Sequence, residues 1–203
     1  MLFRSRKQEN TTAISNVMFE IIRPNHIDIE TPWRKFKKEY AEFESNWYLT
    51  QDLTPNLIGE AAKIWKGMGD KLNSNYGYQI TRDNQLSKVI NILSEHKNTR
   101  RAIITIYDGK ECDLYEDDTP CCLNLGFEII DDMLNMTIHF RSQDLIFGFC
   151  NDQYTLFKYH KLVLDMLSYK RYPNLKLGTS TWMINNLHIY DQHINKKENY
   201  FNK

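Results

Sequence analysis

The sequence has no net charge to spend on a polyanion: 26 Lys and Arg are balanced by 26 Asp and Glu. Neutralising phosphates along a duplex or an anionic bilayer needs an excess of positive charge, so direct nucleic-acid binding is not expected. No stretch approaches the roughly 18 apolar residues of a membrane helix. The opening MLFRSRKQEN lacks the apolar core of a secretory signal. The expected location is the cytoplasm, with no membrane association. The four cysteines (Cys112, Cys121, Cys122, Cys150) then read as thiols and not as a disulfide frame. There is no CxxC pair, and no HxE partnered with a PCxxC, so no metal is expected and a zinc-dependent deaminase is disfavoured. Internal repeats and low-complexity linkers are missing too. A length of 203 residues suits one domain over 1–203.

What is present is an apolar fraction of 41% and 10 Phe, 12 Tyr and 4 Trp, enough for a packed core. Residues 1–10 are polar and basic, and Arg4, Arg6 and Lys7 read equally as a solvated tail or as phosphate ligands. Residues 14–22 form a strand. Trp33, Phe36, Tyr40, Phe43 and Trp47 recur at helical spacing, which predicts a helix over 32–49 that starts at Thr31-Pro32. Glu44 lies on or beside that stripe. It reads as a boundary glutamate or as a buried acid with a raised pKa. Further helices are predicted over 56–67, 83–97 with Asp83 as N-cap, and 152–168 capped by Asn151 or Asp152. Strands are predicted over 102–107, 122–130, 134–141 and 176–190. Asp131-Asp132 makes a turn, 109–119 an acidic loop, and the tail from Asn195 frays. The order is mixed α/β of the α+β type, without the strand–helix alternation of a doubly wound sheet.

The chemistry concentrates between Thr119 and Asp152. A thiol follows a proline at Cys121, an Arg141-Ser142 pair stands twenty residues on, and a carboxylate follows at Asp152. A cysteine in a strand is more often an inert core thiol, and Asp152 can simply cap a helix. Together, the three groups suit covalent chemistry on a phosphorylated base.

The wider constellation resembles the thymidylate synthase superfamily, and within it the phage-type deoxycytidylate hydroxymethylases. The matching stretches are Glu44-x-x-Trp47-Tyr48, Lys63-Ile64-Trp65, Asn73-Ser74-Asn75-Tyr76-Gly77, Thr99-Arg100-Arg101, Cys121, Arg141-Ser142-x-Asp144, Phe147-Gly148-Phe149-x-Asn151-Asp152 and Leu187-His188-x-Tyr190-x-x-His193. The resemblance implies a mixed sheet flanked by helices, in a homodimer packed through its sheets. It implies Cys121 as the nucleophile that adds to C6 of a pyrimidine, and Glu44 as general acid/base. Arg141 and Ser142 resemble the phosphate clamp. Arg100 and Arg101 resemble the pair that reaches the phosphate of the other subunit, and Arg6 a further phosphate arginine. His188 and Tyr190 match a sugar-hydroxyl pair. Trp65, Tyr76 and Asp144 match a folate-side wall, and Asn151 with Asp152 the base contacts.

Asp152 stands where thymidylate synthases carry asparagine. A carboxyl that carries a proton can accept from N4–H of cytosine and donate to N3, which reverses the uracil pattern. Two other departures point the same way: Cys122 stands in place of a histidine and Phe140 in place of a glutamine. The implied activity is transfer of a one-carbon unit from 5,10-methylenetetrahydrofolate to C5 of dCMP with hydration, for phage DNA modification. CMP hydroxymethylation, dCMP methylation and a dUMP-specific relative remain alternatives, as does a catalytically silent nucleotide-binding protein.

Overall fold

The computed structural model describes residues 2–4, 10–27, 36–54, 71–110 and 118–194. The expected helix over 56–67, Trp65, Arg6, Trp33, most of the acidic loop and the tail from Asn195 lie outside the described residues.

Seven strands form one sheet among the described residues. In chain order they are β1 (Leu2–Arg4), β2 (Asn10–Ile21), β3 (Ile103–Thr105), β4 (Cys122–Ile130), β5 (Met133–Phe140), β6 (Gln143–Asp144) and β7 (Lys176–Tyr190). Their spatial order is β1-β2-β7-β5-β4-β3, with β6 beside β7. β4 and β5 form a hairpin whose turn, Asp131-Asp132, has φ of 48° and 59°. Short polar side chains tolerate that left-handed backbone, which is why the turn was readable. β5 and β6 pair with β7 in parallel, so a crossover is needed between them. Helix α4 (Gly148–Lys170) supplies it.

Helices α1 (Lys38–Thr50), α2 (Tyr76–Thr81), α3 (Gln85–Glu95) and α4 cover one face, and α5 (Asp191–Ile194) follows β7. Under them the sheet offers Leu125, Phe127, Leu134, Met136, Ile138, Phe140, Trp182 and Ile184, all buried. Trp182 stacks on Phe140 at 5.5 Å and meets the Phe149 edge at 4.9 Å, which anchors the start of α4 to the sheet.

Among the described residues nothing covers the opposite face. The register puts Met18, Met183, His139 and Asn124 in one row across four strands. Met18 is 70% exposed, and Ile14, Ile22, Ile103 and Met183 are exposed as well. An apolar sheet face left uncovered is a surface that needs a partner.

Four local readings differ from expectation. The helix expected over 32–49 begins at Lys38, with Phe36 and Lys37 lying before it in non-helical backbone. The buried side of α1 is Ala41, Glu44, Ser45, Trp47 and Tyr48, while Phe43 is 43% exposed. The stripe is rotated because Tyr48 and Trp47, not Phe43, pack on α2. Asp83 does not cap α3: it sits at φ 53° in a short 3-10 turn (Arg82–Asn84), and Asn84 takes the cap position without a side-chain bond. Finally, α4 begins at Gly148, four residues before Asp152, so neither Asn151 nor Asp152 caps it. Asp152 is therefore an interior helical residue whose carboxyl is available for other contacts. β1, β6, α2 and α5 were not foreseen, being too short for a periodic signal.

Candidate active site

A single turn links the segments that carry the chemistry. Asn75 caps α2 by accepting from Tyr78 N–H at 3.0 Å. Its amide also donates to the Asp52 carbonyl at 2.9 Å and the Trp47 carbonyl at 3.3 Å, which ties down the end of α1. Beside it, Ser74 donates through N and Oγ to the two oxygens of buried Asp118, at 2.7 and 2.6 Å. Asn73 donates to the Asp118 carbonyl at 3.2 Å. The Asn73-Ser74-Asn75 turn thus holds both the helix of Glu44 and the segment leading to Cys121. Gly77 lets the two helices meet: a Cβ there would fall 1.8 Å from the Tyr48 carbonyl oxygen.

Cys121 is half-buried at the bend before β4. Arg141, at the end of β5, donates from its backbone N to the Cys121 carbonyl at 2.9 Å. Its guanidinium donates to the Pro120 carbonyl (Nε, 2.9 Å) and to the Thr119 carbonyl (Nη2, 2.9 Å), and Nη2 lies 3.7 Å from Cys121 Sγ. A cation against sulfur favours the thiolate, the nucleophilic form. The neighbouring Cys122 differs: it is fully buried, and burial, then the Asp152 and Cys121 charges, hold its thiol well above the ordinary range. The two adjacent thiols therefore face opposite environments.

Two carboxyls converge on this corner. Glu44 is buried on α1, and loss of water, then the neighbouring Asp152 charge, push it up to about 8. Tyr40, one turn earlier, donates to Glu44 Oε1 at 3.3 Å and opposes that shift. The boundary-glutamate reading is set aside in favour of the buried acid. Asp152 is pushed up to about 7, chiefly by desolvation and also by Asp144, against the hydrogen bond from Gln143. At neutral pH Glu44 is mostly protonated and Asp152 is about half protonated. Tyr48 and Tyr76 complete the wall, with rings 5.4 Å apart. Burial first, and charges including Asp152, raise both phenols well above their usual range. Tyr76 OH accepts from Cys122 N–H at 3.3 Å.

Of the other expected residues, Ser142 is half-buried between Arg141 and β6. Asn151 is half-buried in the first turns of α4. Asp144 accepts from Ile146 N–H at 2.9 Å and Phe147 N–H at 3.2 Å, which shapes the entry to α4. Tyr76, expected on the same wall, is 4% exposed, with its ring packed against Tyr48 and Phe140. His188 follows β6 in register, its Nδ1 buried with no partner among the described residues and its ring 5.3 Å from Tyr190. An orphaned imidazole nitrogen suits a sugar hydroxyl.

Arg100 and Arg101 are not brought to this corner. Both are exposed, and Ala102 pairs beside Phe127, six residues along β4 from Cys121. At about 3.3 Å per residue that is on the order of 20 Å. Gln143 was missed. In the sequence it is the unassigned residue of Arg141-Ser142-x-Asp144, and only the pairing of β6 with β7 aims it at Asp152.

One sheet with one helical face brings a half-buried thiol, an arginine and two buried carboxyls of raised pKa to the same corner. The thymidylate synthase family model matches residues 5–203, and the chain belongs to that family. It is similar to the deoxycytidylate 5-hydroxymethyltransferase of Enterobacteria phage T2, 32% identical over 178 residues, 81% of this chain and 72% of the relative. The phage T4 enzyme of the same name is 32% identical over 169 residues, 76% and 68%. A deoxyuridylate hydroxymethyltransferase of Pseudomonas phage M6 is 32% identical over 128 residues, 60% and 34%. The family transfers one-carbon units to nucleoside monophosphates with methylenetetrahydrofolate as co-substrate. Among the described residues no group of His, Cys, Asp and Glu could hold a metal ion, and no helix is long and apolar enough to cross a membrane.

Proposed function

We propose that this chain is a deoxycytidylate 5-hydroxymethyltransferase acting through a covalent Cys121–C6 adduct. The observation that carries this reading is Asp152, a buried carboxyl where a uracil enzyme carries an amide, which desolvation and Asp144 raise to about 7, so that a large protonated fraction persists at neutral pH. One oxygen accepts from N4–H of cytosine and the protonated oxygen donates to N3. As Cys121 adds to C6, electron density builds on the O2–N3 side, and a proton held at N3 stabilises it. Methylenetetrahydrofolate supplies the one-carbon unit at C5. Glu44 orders water near C4 and C5 and, in its ionised fraction, takes up the C5 proton as a carboxylate. Glu44 and Asp152 together hold the water that hydrates the exocyclic carbon, which gives hydroxymethyl in place of methyl.

Arg141 and Ser142 bind the phosphate, and His188 and Tyr190 the sugar. Arg100 and Arg101 serve a second subunit. Their distance from their own Cys121 and the bare apolar sheet face of Met18 and Met183 support a dimer packed sheet to sheet.

The test is tritium release from [5-³H]dCMP and [5-³H]dUMP with methylenetetrahydrofolate, followed by mass analysis of the product. Release from dCMP and a hydroxymethyl product are expected. Asp152→Asn moves the preference toward dUMP, and an unchanged dCMP preference in that variant sinks the assignment.

A further inference from the structure

Gln143 is 2% exposed and sits on a two-residue strand whose backbone is fixed against β7, Gln143 opposite Leu187. Its Nε2 donates to Asp152 Oδ2 at 2.8 Å. Its Oε1 is buried and meets no partner among the described residues. A glutamine kept only for structure satisfies both ends of its amide. This one is committed at a single end, to the carboxyl of Asp152. The surroundings make room for that pairing. A Cβ on Gly148 would lie 3.1 Å from Gln143 Nε2 and 3.9 Å from Asp152 Oδ2, so glycine at the start of α4 lets the amide and carboxyl approach.

We propose that Gln143 is a positioning residue that grips Asp152 through Oδ2 and makes it an effective proton donor to the base. The proposal rests on reading Asp152 as the group that meets N3 of cytosine. With an N–H aimed at Oδ2, the proton of the neutral carboxyl belongs on Oδ1. As Cys121 Sγ bonds to C6, the C5=C6 pair becomes the C4=C5 bond and the C4=N3 pair moves to N3. N3 takes the proton from Oδ1, and Asp152 is left as a carboxylate. The hydrogen bond from Gln143 strengthens as that charge appears, because charge-assisted bonds are the stronger ones. Its effect is therefore larger in the transition state than in the ground state, which places it in kcat and not in KM.

The groups facing Asp152 come from four directions: Glu44 and Tyr48 on α1, Tyr76 on α2, Cys122 on β4, and Asp144 on β6. The acidic ones among them resist ionisation of Asp152. Gln143 opposes them: its hydrogen bond is the influence that lowers the pKa. Removing it moves Asp152 further up and makes it a weaker acid.

The test uses Gln143→Met and the isosteric Gln143→Glu in the full chain, with pH profiles of kcat/KM for dCMP. That ratio reports the free enzyme and falls as Asp152 loses its proton. In both variants the alkaline limb moves to higher pH, by about one unit in Gln143→Met and more in Gln143→Glu, where a second carboxylate faces Oδ2. The kcat falls about tenfold or more while KM for dCMP stays within about twofold. A limb left in place in either folded variant overturns the proposal. The wild-type protein gives a reading that needs no substitution: the Gln143 side-chain amide resonance titrates with the midpoint of the limb, and a flat resonance overturns it. Asp152→Asn separates the two levels. If that variant keeps both the limb and the dCMP preference, the reading of Asp152 fails. If it loses both while Gln143→Met leaves the limb in place, only the role of Gln143 fails.

Discussion

Arg141 reaches the sulfur of Cys121 from the neighbouring strand, with Nη2 3.7 Å from Sγ while the same guanidinium grips the Thr119 and Pro120 carbonyls. The fork does two things: it fixes the loop and sets a cation beside the thiol. Lysine cannot do both, because a single ammonium lacks the planar fork. Arg141→Lys should slow alkylation of Cys121 by iodoacetamide at pH 7 by about tenfold or more, through a smaller thiolate fraction. A rate equal to wild type would mean that the arginine does not act on the sulfur. Cys122 and Cys150, both buried, should stay unlabelled in the native protein.

The separation of Arg100 and Arg101 from their own Cys121 makes a subunit-complementation prediction. Cys121→Ser alone is inactive, and Arg100→Ala/Arg101→Ala alone is nearly so. In a mixed dimer one site carries both defects and the other carries neither. Random reassortment of equal amounts should restore about one quarter of wild-type tritium release. Activity that stays at the sum of the two inactive parents would place both arginines outside the site of a partner.

Met18 and Met183 are cross-strand neighbours on the bare sheet face, 70% and 40% exposed. A charge buried in an apolar interface is strongly unfavourable unless paired. Met18→Glu should therefore dissociate the dimer, read as a monomer mass by sedimentation velocity at micromolar concentration. The helical face is untouched by this change, so far-UV circular dichroism should not move. A dimer that persists would show that the assembly uses another surface.

How much of this was legible in the sequence depended on how local each signal is. β4 and β7 were placed correctly because alternation and a two-aspartate turn are nearest-neighbour effects. α3 was placed within two residues, but its cap was not. Asp83 and Asn84 both adopt left-handed backbone, which only the packing of Arg82 onto the Thr105 and Ile106 carbonyls imposes. The buried side of α1 was misread for a similar reason. Phe43 is fully apolar, yet the close approach of Gly77 to Tyr48 puts Tyr48 on the buried side. Cys121, Arg141 and Asp152 were singled out because they sit in specific motifs. Gln143 was not, since its meaning arises from a parallel strand pair joined through α4, a relationship that no local window contains.

Gly77 gives the most direct stability prediction. A methyl group there would overlap the Tyr48 carbonyl carbon at 2.4 Å and crowd Tyr159 OH at 2.8 Å. Backbone cannot yield as a flexible side chain can, so α1 must shift away from α2. Gly77→Ala should cost about 3 kcal/mol or more in chemical denaturation, at the upper end for overpacking. Because α1 carries Glu44, the folded fraction should also lose tritium release. Loss of stability with full activity per folded molecule would show that Glu44 does not depend on this contact.

The raised carboxyls predict how stability varies with pH. Glu44 ionises at about 8 in the folded chain against 4.5 for an ordinary glutamate, and Asp152 at about 7 against 3.8. Each folded-state pKa lies above its unfolded value. The folded chain therefore binds more protons between those limits, and stability falls as pH rises. Below about pH 4 neither group contributes a penalty. Between pH 4 and 8 the penalty grows at up to about 1.4 kcal/mol per unit for each group, and it levels off above pH 8. The two groups share a site, so their effects are not additive. Glu44→Gln removes one of them. It should match wild type in urea denaturation at pH 4 and exceed it by roughly 2–4 kcal/mol at pH 8.5, while losing C5–H exchange. A variant that is less stable than wild type at pH 8.5 would mean that Glu44 is held in the site as a carboxylate with a partner.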